Sequence, residues 1–247
     1  MIPWIEWTTY HIGPITLQVW GTFVALGILL SCVIIKKCSL QFGVRSEQML
    51  DMVIWLLVGG FIGARLGHVF LYEPTYYLSH PVDMIKVWEG GLSSFGGFVG
   101  AGVSFYLFAK KKNLQKVVWK KVSDLLLFSG LYGWMVARVG CFLIHDHPGT
   151  LSHSLLAMKN PSGSRFDMAF LEIIGLLPLA VWAFISRHKK LADGQMTAVI
   201  FVYYGILRFI LDFFRAIDSR YLGLTPGQYF AMVMVVLGLV LLIKTRK

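Results

Sequence analysis

Charge is scarce in this chain. Of its 247 residues, 15% are Asp, Glu, Lys or Arg, against about 25% in soluble domains, which excludes an ordinary water-exposed globular surface. Acidic residues are the rarer sign, 13 against 23 Lys and Arg. Cysteine is almost missing. Cys32, Cys38 and Cys141 form no Cys-x-x-Cys pair, so neither a disulfide framework nor a thiolate metal site is indicated. No basic stretch or cleavage site precedes the first apolar run near Ile15, which therefore reads as a retained helix rather than a signal peptide. There is also no internal repeat, low-complexity tract or long linker. A single integral-membrane domain over residues 1–247 is expected.

What is present is apolar. Hydrophobic residues make up 56% of the chain, mean hydropathy is +0.66, and several runs approach the ~20 residues that cross a bilayer. The pattern predicts an all-α polytopic membrane protein with seven spans, at 15–35, 49–72, 92–109, 122–144, 168–186, 196–215 and 226–243. The net charge of +10 does not imply nucleic acid, because the cations cluster in short loops beside the spans. Lys36, Lys37 and Arg45 follow the first span, and Lys110, Lys111, Lys112, Lys116, Lys120 and Lys121 follow the third. Arg187, Lys189 and Lys190 follow the fifth, and Lys244, Arg246 and Lys247 close the chain. With seven spans all of these fall on one side, opposite Lys86, Lys159, Arg165 and Arg220. The positive-inside bias then puts the N-terminus outside and the C-terminus in the cytoplasm.

Three arginines break the rule that charge stays in the loops. Arg65, Arg138 and Arg208 lie within spans two, four and six, each six or seven residues before Tyr72, Ile144 or Arg215. At about 1.5 Å per residue, each sits roughly 10 Å below the outer end of its helix. An arginine in hydrocarbon costs about 2.5–3.5 kcal/mol, and three at one depth repel one another unless something negative lies among them. They pair with Glu172, Asp212 or Asp146 to hold helices together, or they bind an anion. Matching depth favours the anion, and in the outer leaflet the abundant small anion is a phospholipid headgroup, whose phosphate suits guanidinium forks. Gly59, Gly63 and Gly67 form a small-residue stripe for close helix packing. Gly96 and Gly97, in "GGLSSFGGFVG", open span three where backbone amides suit a phosphate.

Four motifs carry a family resemblance: "GARLGHVFLYEP" (63–74), "KVWEGGLSSFGGFVG" (86–100), "ARVGCF" (137–142) and "YYGILRFILDFFRAID" (203–218). In order, spacing and span count, the chain resembles the prolipoprotein diacylglyceryl transferases. The resemblance implies an enzyme of the bacterial cytoplasmic membrane with its active site toward the outer leaflet. Such an enzyme moves the diacylglyceryl group of phosphatidylglycerol to the lipobox cysteine of a prolipoprotein signal peptide and releases glycerol phosphate, without a cofactor. It implies that Arg138 and Arg208 hold the phosphate. It also assigns Arg65, Trp20, Gly149, Tyr204, Asp212 and Glu172 to positions around the phospholipid.

The motifs depart from the family at informative places. Phe95 stands where the span-three motif usually has a histidine proposed to activate the thiol. Cys141 stands for an asparagine, Asp146 and Asp212 for glutamates, and Trp20 for a tyrosine. A thiol with pKa near 8.5 needs a base or a cationic neighbour, and "HDHPG" (145–149) supplies His145 and His147 as candidates, with Asp146 to orient one or to pair with an arginine. Solvated interfacial histidines are the plainer reading, and chelation by His145, Asp146, His147 and His153 is a weaker one; no metal site is expected. A diverged relative that binds or transfers phospholipid without this acceptor is the alternative function.

Overall fold

The computed structural model describes residues 3–87, 90–112, 116–160, 163–189, 191–216 and 220–245. A hairpin of β1 (Thr9–Ile12) and β2 (Ile15–Gln18) leads into α1 (Val19–Cys38). Next come α2 (Ser46–Leu71), the short α3 (Pro74–Ser79), a 3-10 turn at Pro81–Ile85, α4 (Ser94–Lys111) and α5 (Lys116–Ile144). Strands β3 (Pro148–Leu151), β4 (Met158–Asn160) and β5 (Gly163–Asp167) form a small antiparallel sheet in the order β3-β5-β4. Helices α6 (Met168–Ser186), α7 (Gln195–Leu211) and α8 (Pro226–Thr245) complete the chain.

Six of these helices, α1, α2, α5, α6, α7 and α8, are long and apolar enough to cross a membrane. The protein is an all-α polytopic membrane protein. The third expected span, 92–109, coincides with α4, which is helical but not among those six. Two expected boundaries move. Residues 15–18 are strand rather than helix, because Gly13, with φ 59, and Pro14 turn the chain back and pair Ile12 with Ile15; a glycine at positive φ is what a two-residue hairpin turn requires. Span six stops being α-helical at Leu211 and tightens into a 3-10 turn over Asp212–Phe214, a common way for a helix to end.

The chain forms two compact units, Val44–Trp119 and the remainder, Met1–Gly43 with Lys120–Lys247. In the first, α2 and α4 lie so close that a methyl group on Gly63 or Gly67 would strike the backbone of Gly96 or Gly100. This is the close approach that small-residue stripes permit in lipid, where van der Waals contact rather than the hydrophobic effect joins helices.

In the larger unit, Gly27 of α1 and Gly133 of α5 meet in the same manner, as do Gly205 of α7 and the backbone of α8. The starts of α6, α7 and α8 are capped by side chains. Asp167 accepts from Phe170 N (2.9 Å) at α6. Asp124 reaches from α5 to accept from the amides of Gly194 and Thr197 at α7, both at 2.7 Å. Thr225 and Gln228 exchange side-chain-to-amide bonds (2.9 and 3.1 Å) at α8, a capping box. Large apolar residues such as Leu29, Val33, Phe184 and Val236 remain exposed, as lipid-facing helices require.

Candidate active site

Glu172, in the second turn of α6, is 1% exposed and is the centre of the larger unit's polar cluster. Its Oε1 accepts from Trp134 Nε1 (2.8 Å) and Tyr204 Oη (3.1 Å), and its Oε2 from Arg208 Nη1 (2.9 Å). Arg138 Nε lies 3.1 Å from Oε1. So buried a carboxylate is tolerable only when paired and hydrogen-bonded. Asp212, also 1% exposed, accepts from Thr225 Oγ1 (2.7 Å). Its other oxygen lies 3.1 Å from Arg208 Nε and 4.0 Å from Arg215 Nη1. Three guanidiniums thus converge on two buried carboxylates, which leaves one positive charge over.

The two inner arginines have donors to spare. Arg138 is 7% exposed and lies over the Trp134 ring, 4.5 Å from its centroid. Among the described residues its one hydrogen bond is a long contact with Cys141 Sγ (3.7 Å), and its buried Nε has none. Arg208 makes one, to Glu172. Each guanidinium carries five N–H groups. Arg138 is held by a carboxylate and an aromatic face and Arg208 by two carboxylates, with most of their protons uncommitted among the described residues, an arrangement suited to an anion.

The histidines are placed differently from expectation. His145 follows the last residue of α5 in the left-handed region, φ 51, and is buried. Its Nδ1 is 2.8 Å from Asp167 Oδ2 and its Nε2 3.0 Å from the Ile5 carbonyl, while the ring stacks on Trp4 at 3.7 Å. A carbonyl only accepts, so Nε2 carries a proton, and Nδ1 shares another with Asp167. His145 therefore pins the N-terminal segment to the end of α5 and has no lone pair free. His147 Nδ1 accepts from Arg215 Nη2 (3.0 Å). Its pKa is pushed down to about 3, first by burial and then by Arg215, Arg138 and Arg208, so it is neutral and a poor base. Asp146, more open, lies 3.5 Å from His147 Nε2. Burial pushes its carboxyl above the ordinary carboxylate range.

Cys141, Asp146 and His147 bring one ligand atom each within 4.8 Å of one another. Guanidiniums border that trio at Cys141 and at His147, and the field they set up repels a cation. The arrangement favours an anion.

A family model described as prolipoprotein diacylglyceryl transferase matches residues 8–244. The chain belongs to the prolipoprotein diacylglyceryl transferase family. It is 30% identical to the phosphatidylglycerol–prolipoprotein diacylglyceryl transferase of Chloroherpeton thalassium, over 96% of this chain and 91% of that one. The same-named proteins of Tolumonas auensis and Staphylococcus saprophyticus are 28% and 26% identical, covering 96% and 99% of this chain and 94% and 91% of theirs.

In this member of the transferase family, Arg138, Arg208, Tyr204, Glu172 and Asp212 are brought into one cluster. Trp20 sits in the first turn of α1, whose backbone packs against Gly140. Gly149 is a packing position and an anchor for Arg215. A methyl group there would strike Met168 and Phe166, and its backbone bridges to Arg215. Gly96 and Gly97 spend their amides on the side-chain oxygen and the carbonyl of Ser93, at 3.2 and 2.9 Å, rather than presenting them to a phosphate.

Arg65, in the unit 44–119, departs furthest from expectation. Its Nε donates to the Met84 carbonyl (2.9 Å), its Nη1 to those of Gly90 (2.5 Å) and Gly91 (3.0 Å), and its Nη2 to those of Asp83 (2.5 Å) and Lys86 (3.1 Å). All five protons are used, and none is left for a lipid. Phe95 starts α4, and its side chain lies outside the described residues.

Sequence reasoning missed two residues of this cluster that had a signal. Trp134 stands four residues before Arg138, the spacing that places two side chains on one helix face. The Thr-x-x-Gln pattern at 225–228 marks a helix start, and its threonine also holds Asp212.

Proposed function

We propose that this chain transfers the diacylglyceryl group of phosphatidylglycerol to the lipobox cysteine of a prolipoprotein. The observation that carries this reading is the pair Arg138 and Arg208, fixed by Glu172 and short of hydrogen-bond partners. In the reaction the thiol sulfur attacks the glycerol carbon that bears the phosphate. A carbon–sulfur bond forms, the carbon–oxygen bond breaks, and glycerol phosphate leaves. The thiol proton balances the charge gained when the diester becomes a monoester. Donors aimed at that growing charge bind the transition state more tightly than the ground state, which is what accelerates the step.

Neither histidine is the base in this reading, since one has both nitrogens engaged and the other resists protonation. Asp146, its carboxyl made more basic by burial and set beside Cys141 and His147, takes the thiol proton. In this reading the chain has seven spans and an external N-terminus, so this cluster, at the C-terminal ends of α5 and α7, faces the outer leaflet of the bacterial cytoplasmic membrane. The loop cations on the opposite side support that orientation. Both substrates, a phospholipid and a signal peptide, are membrane-embedded, so they reach the cluster sideways between helices.

The test is direct. Purified protein in detergent, given phosphatidylglycerol and a lipobox peptide, yields the diacylglyceryl adduct by mass spectrometry. Intact protein that retains phosphatidylglycerol yet forms no adduct would refute the acceptor.

A further inference from the structure

At the far end of the larger unit, about 25 Å along α5 from Arg138 at 1.5 Å per residue, lies a cavity of about 510 Å³. The turn after α1, the start of α5 and the α6–α7 connection border this open cavity, and Lys121, Arg187 and Lys189 line it. Facing them are two carboxylates, Asp124 and Asp193. The Asp124 carboxylate is already engaged by three donors of α7, at Gly194 N, Thr197 N and Thr197 Oγ1, each at 2.7 Å.

Cations at helix ends usually answer the C-terminal carbonyls, and Arg187 stands at such an end, that of α6. Lys121 does not fit that account. It is the sixth residue of α5, at the opposite end of that helix from its C-terminal carbonyls. Neither Lys121 nor Lys189 makes an ion pair among the described residues. Arg187 spends its donors on His188 Nε2 (2.9 Å) and, weakly, Cys38 Sγ (3.8 Å). Ser186 supplies the second sign. It lines the cavity, is 3% exposed, and its hydroxyl makes no hydrogen bond among the described residues. Two lysines and an arginine around one cavity repel each other, and a tetrahedral oxyanion relieves that repulsion while accepting from the hydroxyl.

We propose that this cavity is a second anion site, binding a phosphate group at the end of the bundle opposite Arg138 and Arg208. A phosphomonoester or phosphodiester is the fitting chemistry, because its oxygens accept from the hydroxyl, the ammoniums and the guanidinium together. The phosphate belongs either to an anionic lipid headgroup or to a soluble phosphate.

The test uses full-length protein in detergent, intact and as Arg138→Gln, so that loss at one end of the bundle is not read as loss at the other. Phosphatidylglycerol and phosphatidylcholine retention is measured by native mass spectrometry, and inorganic phosphate binding by titration calorimetry. In both backgrounds Lys121→Gln/Lys189→Gln weakens phosphate binding about tenfold, while Lys121→Arg/Lys189→Arg keeps it. Melting temperatures without phosphate show that the variants fold. If the glutamine pair also loses phosphatidylglycerol and phosphatidylcholine is retained by neither form, the site takes a headgroup. If it binds inorganic phosphate and is indifferent to both lipids, the ligand is soluble. Equal binding of phosphate and of phosphatidylglycerol by the intact and glutamine forms overturns the proposal.

Discussion

Two arginines that look alike in the sequence have opposite surroundings. Arg65 and Arg138 are both buried, at 6% and 7% exposure, both lie in apolar helices, and both lean on an aromatic ring, Tyr77 and Trp134. Arg65 gives all five protons to carbonyls of residues 83–91. Arg138 gives one, to a sulfur. The difference teaches that burial of a charge in a membrane helix does not by itself mark a binding site; the count of unused donors does. Arg65 is a clamp that folds the loop before α4. Arg138 keeps most of its protons uncommitted among the described residues.

The strongest way to break the comparison is at Glu172. Glu172→Gln removes the charge that compensates Arg138 and Arg208 and costs about 3–5 kcal/mol of stability, read as a large fall in melting temperature in detergent; a melting temperature near the intact protein's would mean that the pairing is not structural. Next is Arg138→Lys. It keeps the charge and loses the fork, and turnover of phosphatidylglycerol is expected to fall about 10²–10³-fold with the melting temperature little changed.

Arg65→Met reverses that profile. Orphaned carbonyls cost about 1–3 kcal/mol each when buried, so stability falls by more than about 3 kcal/mol, while turnover per folded molecule stays in the same order of magnitude. A turnover loss as large as that of Arg138→Lys would place Arg65 at the phosphate instead.

The smallest effect concerns His147. Its pKa in the fold, about 3, lies below its ordinary 6.5, so between these values the unfolded chain binds more protons than the folded one. Its stabilising contribution is complete above pH 6.5 and is lost as pH falls toward 3. His147→Asn removes that part of the acid sensitivity, seen in unfolding as a function of pH, and leaves the pH–rate profile between 6 and 8 unaltered. A lost limb in that profile would make His147 the base after all.

The helices were legible because twenty-residue apolar runs have few alternatives, and so were Arg138, Arg208 and Glu172, because charge inside such runs stands out. Other features turn on contacts far apart in the chain. Nothing local tells that His145 meets the Ile5 carbonyl 140 residues away, or that its φ of 51 aims it at Asp167. Arg65 was misjudged for the same reason. Its partners are backbone carbonyls 18–26 residues downstream, and a carbonyl carries no sequence signal. Position along a helix is readable from spacing, whereas satisfaction of donors is not.

One measurement weighs the central claim most directly. Diacylglyceryl transfer from phosphatidylglycerol to a lipobox peptide is followed for Arg138→Lys and Arg65→Lys side by side, with each rate divided by the folded fraction. The account predicts that the first loses two to three orders of magnitude and the second retains the rate of the intact protein. Equal losses, or a larger one at Arg65, would contradict it.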